Sequence, residues 1–281
     1  MIYILLGYYL FFHTHIFFGG NMKVVILAGG LGTRLSEETD VKPKPMVEIG
    51  GRPILWHIMK IYSQFGFNEF VICGGYKREY IVDYFTNYAS RNSDVTIDLG
   101  QGVADVSLSS GAFEPWKIHV IDTGKDSMTG GRLRRVENLL KEDDTFMMTY
   151  GDGVADIDIK ALLDAHKRSN KLATVTATYP TARFGALDIQ PDGSVTGFKE
   201  KPTGDGNLIN GGYFVLSTKV LDLIKDDSTI WEQEPMETLA SQKQLNAFIH
   251  EGFWRPMDTL RDKNYLDGLL ESGAAPWKTW N

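Results

Sequence analysis

The sequence is short of several things, and each shortage excludes a class. One cysteine, Cys73, in 281 residues rules out an internal disulfide framework and a zinc site made of cysteines alone, and fits the reducing cytoplasm. A basic excess is missing too. There are 29 Lys and Arg against 36 Asp and Glu, a net charge of −7. Nucleic-acid binding draws its affinity from a cationic face that neutralises phosphates, so this balance argues against it. No internal repeat or low-complexity tract occurs, and no hexapeptide solenoid closes the chain.

Long apolar runs are also scarce, with one exception. Residues 1–21 carry no Lys, Arg, Asp or Glu and are just long enough for a bilayer, which takes about 20 apolar residues. They lack the basic n-region and small-residue cleavage site of a signal peptide, and His13, Thr14 and His15 interrupt them. Met22 leads straight into a strand pattern. Residues 1–21 are therefore read as an extension apart from the fold, and 22–281 as a single domain with no membrane attachment of its own.

What is present is globular. With 43% hydrophobic and 23% charged residues, the chain can build a core and is not disordered. From Lys23 the hydrophobic period alternates. Val24 to Leu27, Phe70 to Cys73, Lys117 to Ile121 and Thr145 to Tyr150 read as short strands. Helical spacing follows Pro53, runs through Tyr80 to Tyr88, spans Gly131 to Leu140 with Leu133, Val136 and Leu140 inward, and recurs over Ile159 to Lys167. Such alternation predicts a mostly parallel sheet with helices on both faces. After about residue 170 the texture changes to short strands with Pro, Gly and Asp turns, a mixed β extension on the same core. Ser90 to Glu114 is polar and rich in Gly and Ser, and is expected to be a projecting hairpin or a subunit contact.

Chemistry concentrates at strand ends. Leu27-Ala28-Gly29-Gly30-Leu31-Gly32-Thr33-Arg34 directly follows the first strand, where glycines let backbone N–H groups approach an anion closely. No Gly-Lys-Ser/Thr follows, so this is no P-loop. The dinucleotide spacing counted from Gly30 meets Leu35 where Gly or Ala is needed, although Glu48 lies near the distance of a ribose-binding acid. In Lys42-Pro43-Lys44-Pro45-Met46 two prolines stiffen a pair of ammonium groups close to that loop. Tyr150-Gly151-Asp152-Gly153 puts a carboxylate at a strand end, which suits magnesium beside phosphate oxygens. Asp258 offers a second carboxylate, or else an N-cap for the helix after it. Glu200-Lys201-Pro202 and Asn210-Gly211-Gly212 supply groups for hydroxyls and a monophosphate.

In this order, these motifs resemble the sugar-1-phosphate nucleotidyltransferases. The resemblance runs from Met22 to Asn281. Within the family, LSEET, KPKPMVEIGG, SMTGGRLRRV, RFGALDI, WEQEP and PWKTW look most like the branch that uses CTP and glucose 1-phosphate. The resemblance implies a Rossmann-like nucleotidyltransferase core, with 22–170 as the nucleotide-binding half and 171–281 as the sugar-binding half. It implies formation of CDP-glucose and pyrophosphate with Mg²⁺, a role in surface polysaccharide synthesis, and a homo-oligomer. Leu27 to Arg34 would wrap the nucleotide, with Ser127, Arg132 and Gly151 beside it. Arg34 and Lys44 would hold its phosphates, Asp152 and Asp258 the metal, and Glu200, Lys201 and Asn210 the sugar phosphate.

Base choice follows from hydrogen-bond chemistry. Cytosine shows adjacent acceptors at O2 and N3, whereas uracil and thymine carry a donor at N3. A guanidinium has donors only, so Arg132 is expected to read cytosine. The rival readings are the same reaction with another base or sugar, a glycosyltransferase, a non-catalytic nucleotide-binding subunit, and a dehydrogenase.

Overall fold

A computed structural model describes residues 22–30, 32, 35, 39–100, 105–111, 113–180, 186–190, 194–199 and 208–280. Residues 1–21, Leu31, Thr33, Arg34, Glu200 and Lys201 lie outside the described residues.

Strand β1 (Val24–Ala28) is flanked by two parallel neighbours, β2 (Glu69–Gly74) and β6 (Thr145–Tyr150), and β5 (Lys117–Asp122) pairs parallel with β2. On the other side of β6 lie β8 (Ile209–Ser217), β7 (Ala173–Thr178) and β9 (Leu245–His250). The sheet order is β9-β7-β8-β6-β1-β2-β5, and β8 alone runs antiparallel to its neighbours. This is the mixed, mostly parallel sheet that the alternating periods predict. Both its faces are covered, as an apolar strand such as VVILA requires. Val24, Ile26 and Ala28 join one core with α1 (Ile54–Ser63) and α4 (Ile159–Ser169); Val25 and Leu27 join the opposite core with Leu133, Val136 and Leu140.

Two helices differ from expectation. Gly131 to Leu140 is not one helix. Here α3 (Thr129–Arg135) ends at Val136, φ −102° and ψ 3°, and a second short turn covers Glu137–Leu140. Likewise α2 (Arg78–Thr86) stops at Asn87 before a single turn at Tyr88–Arg91. Ser90 to Glu114 contains an antiparallel pair, β3 (Ser93–Asp98) and β4 (Asp105–Gly111), in line with the expected hairpin. The last helix, α5 (Leu260–Glu271), begins with a capping box of Thr259 and Asp262, worth about 1 kcal/mol of helix stability. Asp258 is therefore not the N-cap.

One consequence of this topology decides where the site lies. Parallel strands β1, β2, β5 and β6 all end at the same edge of the sheet, where open α/β proteins bind ligands. The reversed strand β8 begins at that edge, so Asn210-Gly211-Gly212 arrive there from the second half of the chain.

Candidate active site

The two aspartates, 106 positions apart in number, meet because of a short antiparallel pair. Gly153–Ala155 pairs with Trp254–Pro256 in the register Gly153↔Pro256, Val154↔Arg255, Ala155↔Trp254. Extending that register by one residue puts Asp152 opposite Met257, and Met257 N donates to Asp152 O at 2.8 Å. Asp258 is the next residue.

Between the carboxylates sits Lys44. Its Nζ donates to Asp152 Oδ2 at 2.6 Å and to Asp258 Oδ1 at 2.8 Å. Lys44 opens a single 3₁₀ turn, Lys44–Met46, after extended Pro43; Pro45 packs against Gly151, whose N–H donates to Leu27 O at 3.0 Å. The proline-stiffened segment thus rests on the turn that follows β6, which is itself tied to the end of β1. Burial works against the charge on Lys44, but Asp152 and then Asp258 outweigh it and hold the ammonium above its usual pKa. The expectation of two ammonium groups at the loop needs correcting. Lys42 pairs with Glu48 at 3.2 Å on the surface, because only Lys44 lies in the buried turn. The same contact occupies Glu48, the residue that kept a dinucleotide site in view.

Two carboxylates around one cation are a donor set that suits a small hard divalent ion, which takes one or two protein carboxylates and completes its shell with phosphate oxygens and water. Among the described residues no group of three or more His, Cys, Asp and Glu is arranged to hold a metal, so such an ion here would depend on substrate oxygens.

The glycines of the loop have specific neighbours. Gly32 has φ +66°, and a Cβ there would lie 2.9 Å from Thr39 Cγ2. Gly29 is packed against the Arg132 guanidinium so closely that any side chain would displace it. Arg132 is buried, and its Nη atoms reach five acceptors: Thr123 Oγ1 at 2.8 Å and the carbonyls of Gly124 at 2.7 Å, Gly29 at 2.9 Å, Lys125 at 3.2 Å and Gly74 at 3.4 Å. It ties together the loops after β1, β2 and β5. Burial lowers its pKa from the usual arginine value, though it stays charged at any ordinary pH. Ser127 is buried beside Gly124. A small cleft opens next to Asp152, lined also by Thr149, Tyr150, Gly212, Trp254 and Pro256.

Asn210 lies on the rim. Its Nδ2 donates to Tyr150 Oη at 3.3 Å and its Oδ1 accepts from Gly212 N at 2.8 Å. Gly212, φ +81°, has the Tyr150 ring 2.7 Å from where a Cβ would be. Sequence reasoning missed Thr123, Tyr150, Glu232 and Trp254. Trp254 and Glu232 sit in stretches that carried the resemblance or flanked Asp258, but nothing in their spacing marked them.

One ammonium and two carboxylates beside a glycine-bearing loop at the carboxyl edge of a mostly parallel sheet are groups that phosphate chemistry can use. The chain belongs to the nucleotidyl transferase family, whose profile it matches over residues 23–261. It is 62% identical over 259 residues to the glucose-1-phosphate cytidylyltransferase of Salmonella typhi, covering 92% of this chain and 100% of that one. A probable glucose-1-phosphate cytidylyltransferase of Bacillus subtilis is 43% identical over 260 residues, with 92% and 100% covered. Among solved structures, HddC from Yersinia pseudotuberculosis superposes with a TM-score of 0.63 at 24% identity, covering 89% of this chain and 99% of that one; this likeness speaks for the fold.

Proposed function

We propose that the chain transfers the cytidylyl group of CTP to α-D-glucose 1-phosphate, giving CDP-glucose and pyrophosphate. The observation that carries this is Lys44 set between Asp152 and Asp258, in a chain similar over its length to a Salmonella typhi enzyme named for that reaction.

A phosphate oxygen of the sugar phosphate attacks the α-phosphorus as the bond to the β-phosphate oxygen breaks and pyrophosphate leaves in line. That oxygen is already anionic at neutral pH, so no general base is needed; catalysis is positioning and charge neutralisation. Asp152 and Asp258 would hold Mg²⁺. When bound, the ion supplies positive charge at the α-phosphate and the departing pyrophosphate. Leu27 to Arg34, Ser127 and Gly151 surround the nucleotide, and Arg34 with Lys44 holds its phosphates. For Lys44 this means exchanging its carboxylate partners for phosphate oxygens. Arg132 lies at the base side and sets preference for cytosine, exchanging a loop carbonyl for the O2 and N3 acceptors. Glu200, Lys201 and Asn210 hold the sugar phosphate.

Magnesium-dependent pyrophosphate release, measured across CTP, UTP, dTTP, ATP and GTP with several sugar 1-phosphates, tests this reading. Release with CTP and glucose 1-phosphate is expected. Release only with another pair keeps the reaction and overturns the substrates, and no release with any pair overturns the enzyme reading.

The chain works as a homo-oligomer in the cytoplasm, in a route to surface polysaccharide. Support for self-association comes from the hairpin. Val95 faces Leu108 and Ile97 faces Val106 across β3 and β4, and all four are exposed. An apolar stripe of this kind on a projecting hairpin marks a protein contact. Among the described residues no helix is long and apolar enough to cross a membrane.

A further inference from the structure

The half-buried Glu232 is not part of the cation cleft, yet it holds two of the elements that build the crevice. Its Oε1 accepts from Tyr150 Oη at 2.5 Å and its Oε2 from Thr129 Oγ1 at 2.6 Å. Thr129 in turn accepts from Trp231 N at 2.9 Å. One carboxylate therefore bridges the start of α3 and the end of β6. Tyr150 passes the constraint on: its hydroxyl gives its only proton to Glu232 and takes the Asn210 amide as a donor.

The consequence falls on Asn210. A carboxamide has two N–H donors and two acceptor positions. Tyr150 takes one donor and Gly212 N fills one acceptor position, so the side chain is fixed at both ends and retains one donor and one acceptor position. That remainder is what a sugar hydroxyl, itself donor and acceptor, requires. The direction of each bond depends on Glu232 being an acceptor. Burial and then the Glu232 charge push the Tyr150 phenol far above its usual pKa, which keeps the tyrosine a donor to Glu232 and an acceptor toward Asn210. Reversing that order would turn the amide end for end.

We propose that Glu232 is a positioning residue for the acceptor side of the reaction, fixing the Asn210 carboxamide through Tyr150 and thereby setting affinity for the sugar phosphate. The proposal rests on Asn210 being a sugar-phosphate contact, as put forward above. Because Glu232 also holds Thr129 on the helix that carries Arg132, the KM for CTP is the control against a general loosening of the site.

The test is steady-state kinetics of pyrophosphate release with both substrates varied, for Glu232→Ala, Tyr150→Phe, Glu232→Gln and Asn210→Ala. Glu232→Ala and Tyr150→Phe are each expected to raise the KM for glucose 1-phosphate about three- to tenfold, the worth of a hydrogen bond, with the KM for CTP within about twofold. Glu232→Ala combined with Tyr150→Phe is expected to be no worse than either single variant, since both cut the same chain. Glu232→Gln is expected to restore most of the affinity, because its amide oxygen accepts from Tyr150 while its NH₂ donates to Thr129. Tyr150→Phe keeps the ring against Gly212, so a folding failure of Glu232→Ala leaves the test standing. Equal rises in both KM values, or additive effects in the double variant, overturn the inference. So does an unchanged KM for glucose 1-phosphate in Tyr150→Phe while Asn210→Ala raises it. If Asn210→Ala itself leaves that KM unchanged, the reading of Asn210 has failed, and the inference with it.

Discussion

Lys44 and Arg132 are two buried cations at one edge of one sheet, and they are neutralised in opposite ways. Lys44 is held by two carboxylates at 2.6 and 2.8 Å, Arg132 by a hydroxyl and four backbone carbonyls. The lysine's partners are anions, so on the proposed reading they are open to exchange: the ammonium would turn to phosphate oxygens and the carboxylates to a divalent ion. The arginine's partners are dipoles that carry no net charge. Asp122 and Asp126 favour its charge from outside that set of hydrogen bonds, and its geometry is part of the loops themselves. On the same proposed reading, carboxylate partners suit exchange at the reacting phosphates, whereas a guanidinium held by loop carbonyls gives up one of them to the acceptors of a base.

The strongest way to break this comparison is at the exchangeable end. Asp152→Asn keeps the shape and a contact to Lys44 but removes the charge for a metal. Turnover is expected to fall about a thousandfold, the scale of losing a group that stabilises transition-state charge. The melting temperature should move by no more than about 4 °C, as for 1 kcal/mol in a domain of this size. Pyrophosphate release and a thermal melt check both halves; retained turnover would remove Asp152 from the metal site.

At the fixed end the expected balance is reversed, with less lost in catalysis and more in architecture. Arg132→Ala should erode the preference for CTP over UTP by about ten- to a hundredfold. It should also cost about 2–3 kcal/mol of stability, because buried carbonyls lose their donors. Gly29→Ala should do the same in milder form, since its Cβ displaces the guanidinium. Competition between CTP and UTP, run beside denaturant melts, separates the two effects. An unchanged preference together with lost stability would leave Arg132 a clasp and nothing more.

The hairpin gives a smaller effect away from the site. Val95→Asp combined with Leu108→Asp places two like charges directly opposite on the exposed face. Light scattering after size exclusion should then show a smaller species than wild type, with the fold intact by circular dichroism. An unchanged mass overturns the hairpin as a surface for self-association.

These contrasts also define what the sequence could disclose. Strand ends were legible because glycine and a charged residue follow an apolar run: Leu27 to Gly30 and Tyr150 to Gly153 fall at the carboxyl edge as the alternation of periods requires. Asp258 was legible only as one of two alternatives, until Thr259 took the N-cap. Lys42 and Lys44 are indistinguishable in sequence, each standing before a proline; a 3₁₀ turn buries one and leaves the other to Glu48. The acceptors of Arg132 belong to backbone at Gly29, Gly74, Gly124 and Lys125, and a carbonyl has no sequence signature. Strand β9 escaped because Leu-Asn-Ala-Phe-Ile-His alternates only weakly, and its place comes from pairing with β7.

A third buried base sharpens the comparison by remaining neutral. His57 on α1 has neither carboxylates nor a ring of carbonyls. Its Nε2 meets Ile49 O at 2.9 Å and its Nδ1 lies 3.4 Å from Trp277 Nε1, so the ring is an Nε2–H tautomer between an acceptor and a donor. Burial, opposed by the Ile49 carbonyl but aided by Lys278 and Arg52 and countered a little by Asp267, lowers its pKa from 6.5 to about 4. Because the folded value lies below the unfolded one, the unfolded chain binds the proton more readily. The stability from a neutral His57 is full above pH 6.5 and is lost as pH falls toward 4. The linkage amounts to about 1 kcal/mol at pH 6 and about 2 kcal/mol at pH 5. Protonation would also set an N–H against the Trp277 N–H, loosening the carboxyl-terminal tryptophans from α1. Urea melts at pH 7, 6 and 5, followed by tryptophan fluorescence, should show this slope in the wild type and a flatter one in His57→Gln. Parallel slopes would mean that His57 is not the buried base that titrates.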